Sequence, residues 1–200
     1  ITYRNNVIWN CTYSFEYFNW PESASVRNIV FDHNTCAFAG YEWGYTQRPN
    51  RNACHVRLGS STASVQDFRI TNNIFYISRN QCLFKDNWYN QERWDNVTLD
   101  HNIYYQRFGN IVRVHGAPGW NWHEYSMEAF SKYQAEQGKD GSSRAADPGL
   151  ADPVNGDFSL RPDSPAIDRG SAGPPLPDDI IGAPRPQGAA CDIGAYEYVR

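Results

Sequence analysis

The 200-residue chain has no apolar run approaching the length of a membrane span, and no secretory leader pattern is visible in it. It has no excess of positive charge either. Against 22 Asp and Glu there are 18 Lys and Arg, a formal net charge of −4, which leaves no electrostatic footprint for nucleic acid. Its five cysteines, Cys11, Cys36, Cys54, Cys82 and Cys191, are odd in number and lack metal-ligand spacing, so they read as buried free thiols. No contiguous calcium-loop motif occurs. Membrane and nucleic acid therefore fall away as expected partners.

What the chain does have is a repeat. Four short apolar runs meet an Asn-Asn or His-Asn pair: Asn5-Asn6-Val7-Ile8, Phe31-Asp32-His33-Asn34, Ile70-Thr71-Asn72-Asn73 and Leu99-Asp100-His101-Asn102. The second Asn falls at 6, 34, 73 and 102, giving intervals of 28, 39 and 29 residues, the long one carrying an insertion. Val, Ile, Phe, Thr and Tyr alternate with polar residues around each pair, which is the period of a strand. Asn suits a turn with left-handed backbone, and stacked turns let successive amides pair as a ladder. No single unit can bury its own apolar face, so neighbours above and below must cover it. The expected fold is all-β, a right-handed parallel β-helix of about four coils. An antiparallel sandwich also uses Asn turns, but its hairpins would not recur at this spacing.

Residues 1–115 are expected to form the coils. Ile1 lies in strand-like sequence, so the domain is expected to be truncated at its N-terminus. Residues 116–145 leave the pattern: a Gly-Pro loop precedes one lateral α-helix, capped by Ser126 and running to about Gly138. Residues 146–200, rich in Pro, Gly and Asp, are expected to close the C-terminal end irregularly.

That tail carries Ala146-Asp147-Pro148-Gly149-Leu150, Asn155-Gly156-Asp157-Phe158-Ser159-Leu160, Ser164-Pro165-Ala166-Ile167-Asp168-Arg169-Gly170, Gly182-Ala183-Pro184-Arg185-Pro186 and Asp192-Ile193-Gly194-Ala195-Tyr196-Glu197-Tyr198, in that order. The series resembles the closing segment of bacterial right-handed parallel β-helix proteins of the pectin-lyase-like superfamily. The resemblance is strong over the last third and looser over the Asn-turn coils. It implies a protein that is secreted, periplasmic or on the cell surface, acting as a monomer on a polysaccharide or oligosaccharide. It is silent on chemistry, and Asp147, Asp157, Asp168 and Asp192 are expected to be turn and capping residues.

In the proteins it resembles, substrate lies along one parallel sheet, across the coils. Counting from each Asn turn aligns Ser14–Asn19, His55–Gly59, Cys82–Asn87 and Ile111–His115 as strands of that sheet. Alternation then turns Glu16, Arg57, Lys85 and Arg113 outward in one column, with His55, His115 and Asp86 beside it. One reading is a salt-bridge ladder on a solvated sheet. The functional reading is a groove for a uronate-bearing glycan cleaved by β-elimination, with Lys85 as base and Arg57 and Arg113 as carboxylate and oxyanion partners. The resemblance adds calcium, for which Glu16 and Asp86 are the carboxylates at hand; the sequence fixes no other cofactor. A second reading is glycoside hydrolysis, for which Glu16, Glu42 and Asp86 are the candidate carboxyl groups. Glu42 lies in the insertion, between Tyr41 and Trp43, where a loop can overhang a groove and offer rings to a sugar. Trp88, Trp20 and Trp94 follow the same strands. A third reading is a glycan-binding or structural fragment without catalysis.

Overall fold

A computed structural model resolves the alternating runs into sixteen strands and three short helices over the described residues, 1–18, 26–59, 65–86, 90–116, 119–171 and 176–199. The strands come in threes. They are β1 (Thr2–Arg4), β2 (Val7–Trp9) and β3 (Tyr13–Tyr17); then β4 (Val26–Asp32), β5 (Thr35–Ala39) and, after helix α1 (Glu42–Gln47), β6 (Cys54–Leu58). The third set is β7 (Val65–Thr71), β8 (Ile74–Ser78) and β9 (Gln81–Lys85). Helix α2 (Gln91–Asp95) leads into the fourth, β10 (Val97–Asp100), β11 (Ile103–Tyr105) and β12 (Asn110–Gly116). Each set gives one strand to each of three sheets in the same order, and within these twelve strands all sheet pairing is parallel. The protein is mostly strand, with parallel and mixed sheets.

The three sheets share one interior. Phe31, Phe68 and Leu99 from the first, Phe75 and Tyr104 from the second, and Val56, Leu58, Leu83 and Val112 from the third belong to one buried cluster. Parallel strands cannot be joined by tight hairpins, so each circuit needs three corners. The corner between the first and second sheets is the Asn pair. Its leading residue, Asn5, His33, Asn72 or His101, is left-handed, with φ of 52°, 51°, 56° and 53°. The following Asn points inward and bonds to the next circuit. Asn6 Nδ2 donates to Asn34 Oδ1 at 2.8 Å, Asn34 to Asn73 at 3.0 Å and Asn73 to Asn102 at 3.1 Å. Each acceptor oxygen also takes the backbone N–H of the previous Asn, at 2.9 to 3.1 Å. The ladder ends on buried Asp140, which accepts from Asn102 Nδ2, Tyr104, Tyr133 and Ser143. Burial pushes the Asp140 carboxyl up.

Past β12 the structure departs from the sequence reading. Residues Asn121–Ser126 form β13, antiparallel to β12, and Ser126 ends that strand instead of capping the helix. Helix α3 (Phe130–Gln137) ends at Gly138 in left-handed conformation. It closes the end of the interior, because Phe130 and Tyr133 pack on Tyr104 and Tyr125. Strand β14 (Arg144–Ala145) then rejoins the second sheet beside β11. Helices α1 and α2 are additional to the one helix expected. The tail does not close that end. It runs along the outer flank of the second sheet, through the hairpin β15 (Leu150–Asp152) and β16 (Asp157–Leu160). Its contacts are the corner and the sheet: Ser171 N to Asn72 Oδ1, Ala195 N to Thr35 Oγ1, Asn5 Nδ2 to Asp178 O, and Ile193 and Phe158 against Ile74 and Ala37 in a second core. Asp147, Asp157, Asp168 and Asp192 each accept a backbone N–H within this tail.

Asn73 is fully buried and uses its whole amide, donating also to Phe31 O and Thr71 O. Asn73→Ala strands these partners, so it is expected to cost about 3 kcal/mol in denaturant unfolding. Asn6→Ala, at the exposed end of the ladder, is expected to cost below about 1 kcal/mol. Equal losses at the two positions would remove the ladder as the organising contact.

Candidate functional site

The expected sheet exists, and its register is explicit: Glu16 pairs with Arg57, Arg57 with Phe84, and Phe84 with Arg113. The outward column is therefore Glu16, Arg57, Phe84 and Arg113. Lys85 belongs instead to the inward row with Tyr17, Leu58 and Val114. It is 1% exposed, with Nζ bonded to His115 O and lying 6.0 Å from the Trp94 ring. The exchange has a physical cause. Trp122 of β13 stacks on Phe84 at 5.6 Å with 8° between the rings, so an apolar residue is covered on the outer face. Removal from water lowers the Lys85 pKa to about 8.

The other charges of the column all lie in ion pairs. Arg57 lies between Glu16, at 2.6 Å, and Asp86, at 3.5 Å, and its guanidinium sits over Tyr13 at 5.2 Å. Arg113 pairs with Glu124 at 3.1 Å and packs 4.4 Å over Trp122, which also meets His115 edge-on at 5.1 Å. Such half-exposed pairs contribute about 0–1 kcal/mol each, and they leave these cations without spare charge for a ligand. His55 turns inward and is fully buried, its ring stacked on Phe75 and its Nδ1 3.1 Å from Ser14 Oγ. Burial lowers its pKa to about 3. Trp94 is buried in the core, and Trp88 and Trp20 lie outside the described residues. Among the described residues no three His, Cys, Asp or Glu side chains converge as a metal site. The cysteines are free thiols; Cys36, Cys54 and Cys82 are buried, and burial pushes the Cys82 thiol up to about 12.

Glu42 and Tyr41 belong to a different feature. The insertion folds back over the first circuit, where Gly44 N donates to Asn10 O and Thr12 Oγ1 donates to Gly44 O. A side chain at Gly44 would meet the Cys11 backbone at 2.6 Å, so only glycine allows this approach. The loop thereby walls a cleft of about 440 Å³ at the corner between the second and third sheets. Its floor crosses the circuits. Asn10, Phe38, Ile77 and Gln106 follow the paired residues Trp9, Ala37, Tyr76 and Tyr105 and line it in succession. Trp9, Tyr41 and Phe108 present exposed rings, at 40%, 41% and 87% exposure, and Val154 of the tail hairpin forms the facing wall. Trp9 is held edge-on by Phe158 at 5.5 Å. The Glu42 carboxylate accepts from Asn10 Nδ2 at 2.6 Å, and Arg107 and Arg79, whose guanidinium lies 3.8 Å over the Tyr45 ring of α1, also line the cleft. Trp43 is exposed but does not line the cleft.

Backbone strain concentrates in this cleft. Phe38, Glu42 and Ile77 have φ of 54°, 41° and 49°, a region that costs bulky residues about 1–2 kcal/mol each. Strain of this kind persists where the surroundings over-determine it, and it clusters at ligand sites. Trp9, Phe38, Ile77, Arg79, Gln106, Arg107, Phe108 and Val154 were missed from the sequence. The first signal was present, since the floor residues each lie four positions after the ladder Asn.

The Lys85 placement has a pH signature. Its folded pKa lies below its unfolded value, so the native state binds fewer protons between about pH 8 and 10.5 and gains stability as pH rises through that window. Lys85→Met is expected to be at least as stable as the parent at pH 7, with its advantage shrinking toward pH 10.5 in thermal melts. A large loss at pH 7 would contradict the buried ammonium. Comparison with known proteins finds no matching family model, no matching curated protein and no matching solved structure.

Proposed function

We propose that the chain is a right-handed parallel β-helix of the pectin-lyase-like kind and that it binds a linear saccharide in the corner cleft. The stacked three-sheet order and the amide ladder support the architecture, and parallel crossovers are right-handed in nearly all proteins. The observation that carries the functional reading is the cleft itself. Exposed rings at its two ends, polar groups between them and a strained floor running across the circuits suit a chain of sugar rings. Circuits repeat at about 4.8 Å, close to the advance of a glycan per ring, so successive sugars meet successive circuits.

Binding is favoured over catalysis on chemical grounds. Elimination needs a base facing the substrate, and Lys85 faces the interior. Hydrolysis needs two carboxyl groups flanking the bond, and Glu42 is the one carboxylate lining the cleft among the described residues. The test is calorimetric titration against a panel of neutral and acidic linear tetrasaccharides. Trp9→Ala and Phe108→Ala are each expected to weaken binding about ten-fold or more, with Phe108 too exposed for its loss to disturb the fold. Arg57→Ala is expected to leave affinity unchanged. Loss of binding with Arg57→Ala alone would move the site to the third sheet, and a panel with no binder would end the saccharide reading.

A further inference from the structure

The two ends of the stack are finished differently. At the far end α3 and β13 lie against the last circuit, and its inward residues Leu99, Tyr104 and Val112 are buried. At the near end no described element covers the first circuit. Register identifies its inward residues: Tyr3 pairs with Phe31, Ile8 with Cys36 and Phe15 with Val56. Those three partners are buried, whereas Tyr3 is 48% exposed and Ile8 and Phe15 are only half-buried. A cleft of about 400 Å³ opens among these side chains and reaches Phe31 of the second circuit. Hydrogen bonding is unfinished there too. Strands β1, β2 and β3 are the end strands of their sheets, each paired along one edge only among the described residues. They carry neither Lys nor Pro, the residues that commonly blunt an exposed edge. Each later ladder oxygen takes both the N–H and the Nδ2 of the Asn before it, but no described residue donates to Asn6 Oδ1.

We infer that this end is a docking face for a second copy of this chain, the two meeting open end to open end across a two-fold axis. Unpaired edges, an uncovered interior and an open amide form one continuous surface, and a surface of the same kind complements it. The two-fold sets the strands of one copy against those of the other in opposite directions, and antiparallel edges pair at least as well as parallel ones. Charge does not oppose the approach. The two charged residues of these strands, Arg4 and Glu16, already pair within their own chain, with Asp32 at 3.1 Å and Arg57 at 2.6 Å. Because the far end is closed, copies cannot add head to tail, and association stops at two. The pair departs from the monomer that the resemblance implies.

Sedimentation velocity over a range of about 100-fold in concentration measures the association. The mass is expected to rise to twice that of the chain and no further. Tyr3→Lys sets a charge against the matching face and is expected to weaken the dimer about ten-fold or more. Trp120→Lys, at an exposed position beside β13, is expected to leave it unchanged. Hydrogen exchange on the parent chain needs no variant: the amides of β1–β3 are expected to exchange more slowly as concentration rises, with those of β10–β12 unaffected. A chain that stays monomeric throughout, a mass beyond the dimer, or a dimer that Tyr3→Lys leaves intact overturns the docking face. Exchange in β1–β3 that concentration does not alter overturns it as well.

Discussion

An amide that donates to the next amide, three times over and then to a buried carboxylate, is the constraint on which this structure depends. Each Asn of the ladder presents a donor and an acceptor along the stacking direction, and each rung satisfies the one before it. A buried polar group without a partner costs about 1–3 kcal/mol, so a circuit that slips in register loses its rung and unbalances both neighbours. Apolar burial alone would tolerate sliding between similar strands. The ladder does not, and it fixes Phe15 over Val56 over Leu83 over Val112 in the interior. Its termination on Asp140 with two tyrosines and a serine brings the closing helix into the same network.

Fixing the register at one corner also fixes the next. Four residues beyond each ladder Asn the chain turns again, and three of these four turns are left-handed. At Asn10 this costs little; at Phe38 and Ile77 it is strain. The corner stays bent because Gln106, Phe38 and their neighbours are locked from both sides, by the Ser78 backbone and by the rings of Tyr41 and Tyr76. The tail adds the second wall. Gly156 lies so near the Trp9 ring that a Cβ would stand 3.1 Å from it, and Phe158 meets the same ring edge-on. The segment that resembles a mere closing motif thus sets the orientation of one end of the cleft.

The Asn repeat made the circuits legible because identical turns must stack to satisfy their amides. The strands of the third sheet followed from counting along that repeat. Lys85 turns inward because Phe84 takes the outer face under Trp122 of β13, a strand two places away in the sheet whose sequence carries no alternation that announces it. Ser126 reads as a cap in the sequence because a hydroxyl ahead of a helical run looks the same at the end of a strand. The corner cleft was only half visible. Tyr41 and Glu42 stood out within the insertion, but Phe38, Ile77 and Val154 are ordinary apolar residues until the backbone turns them together. His55 is likewise buried against an interior ring, stacked on Phe75, which alternation along β6 does not announce.

The central claim is that register set by the ladder assembles a saccharide cleft at the corner of the second and third sheets. The most direct test is to map amide chemical shifts while a linear tetrasaccharide that binds is titrated into the protein. The account predicts perturbations confined to residues 9–10, 38, 41–42, 77–79 and 106–108, with residues 16, 57 and 113 unmoved. Perturbations centred on Glu16, Arg57 and Arg113, with the corner silent, would contradict it.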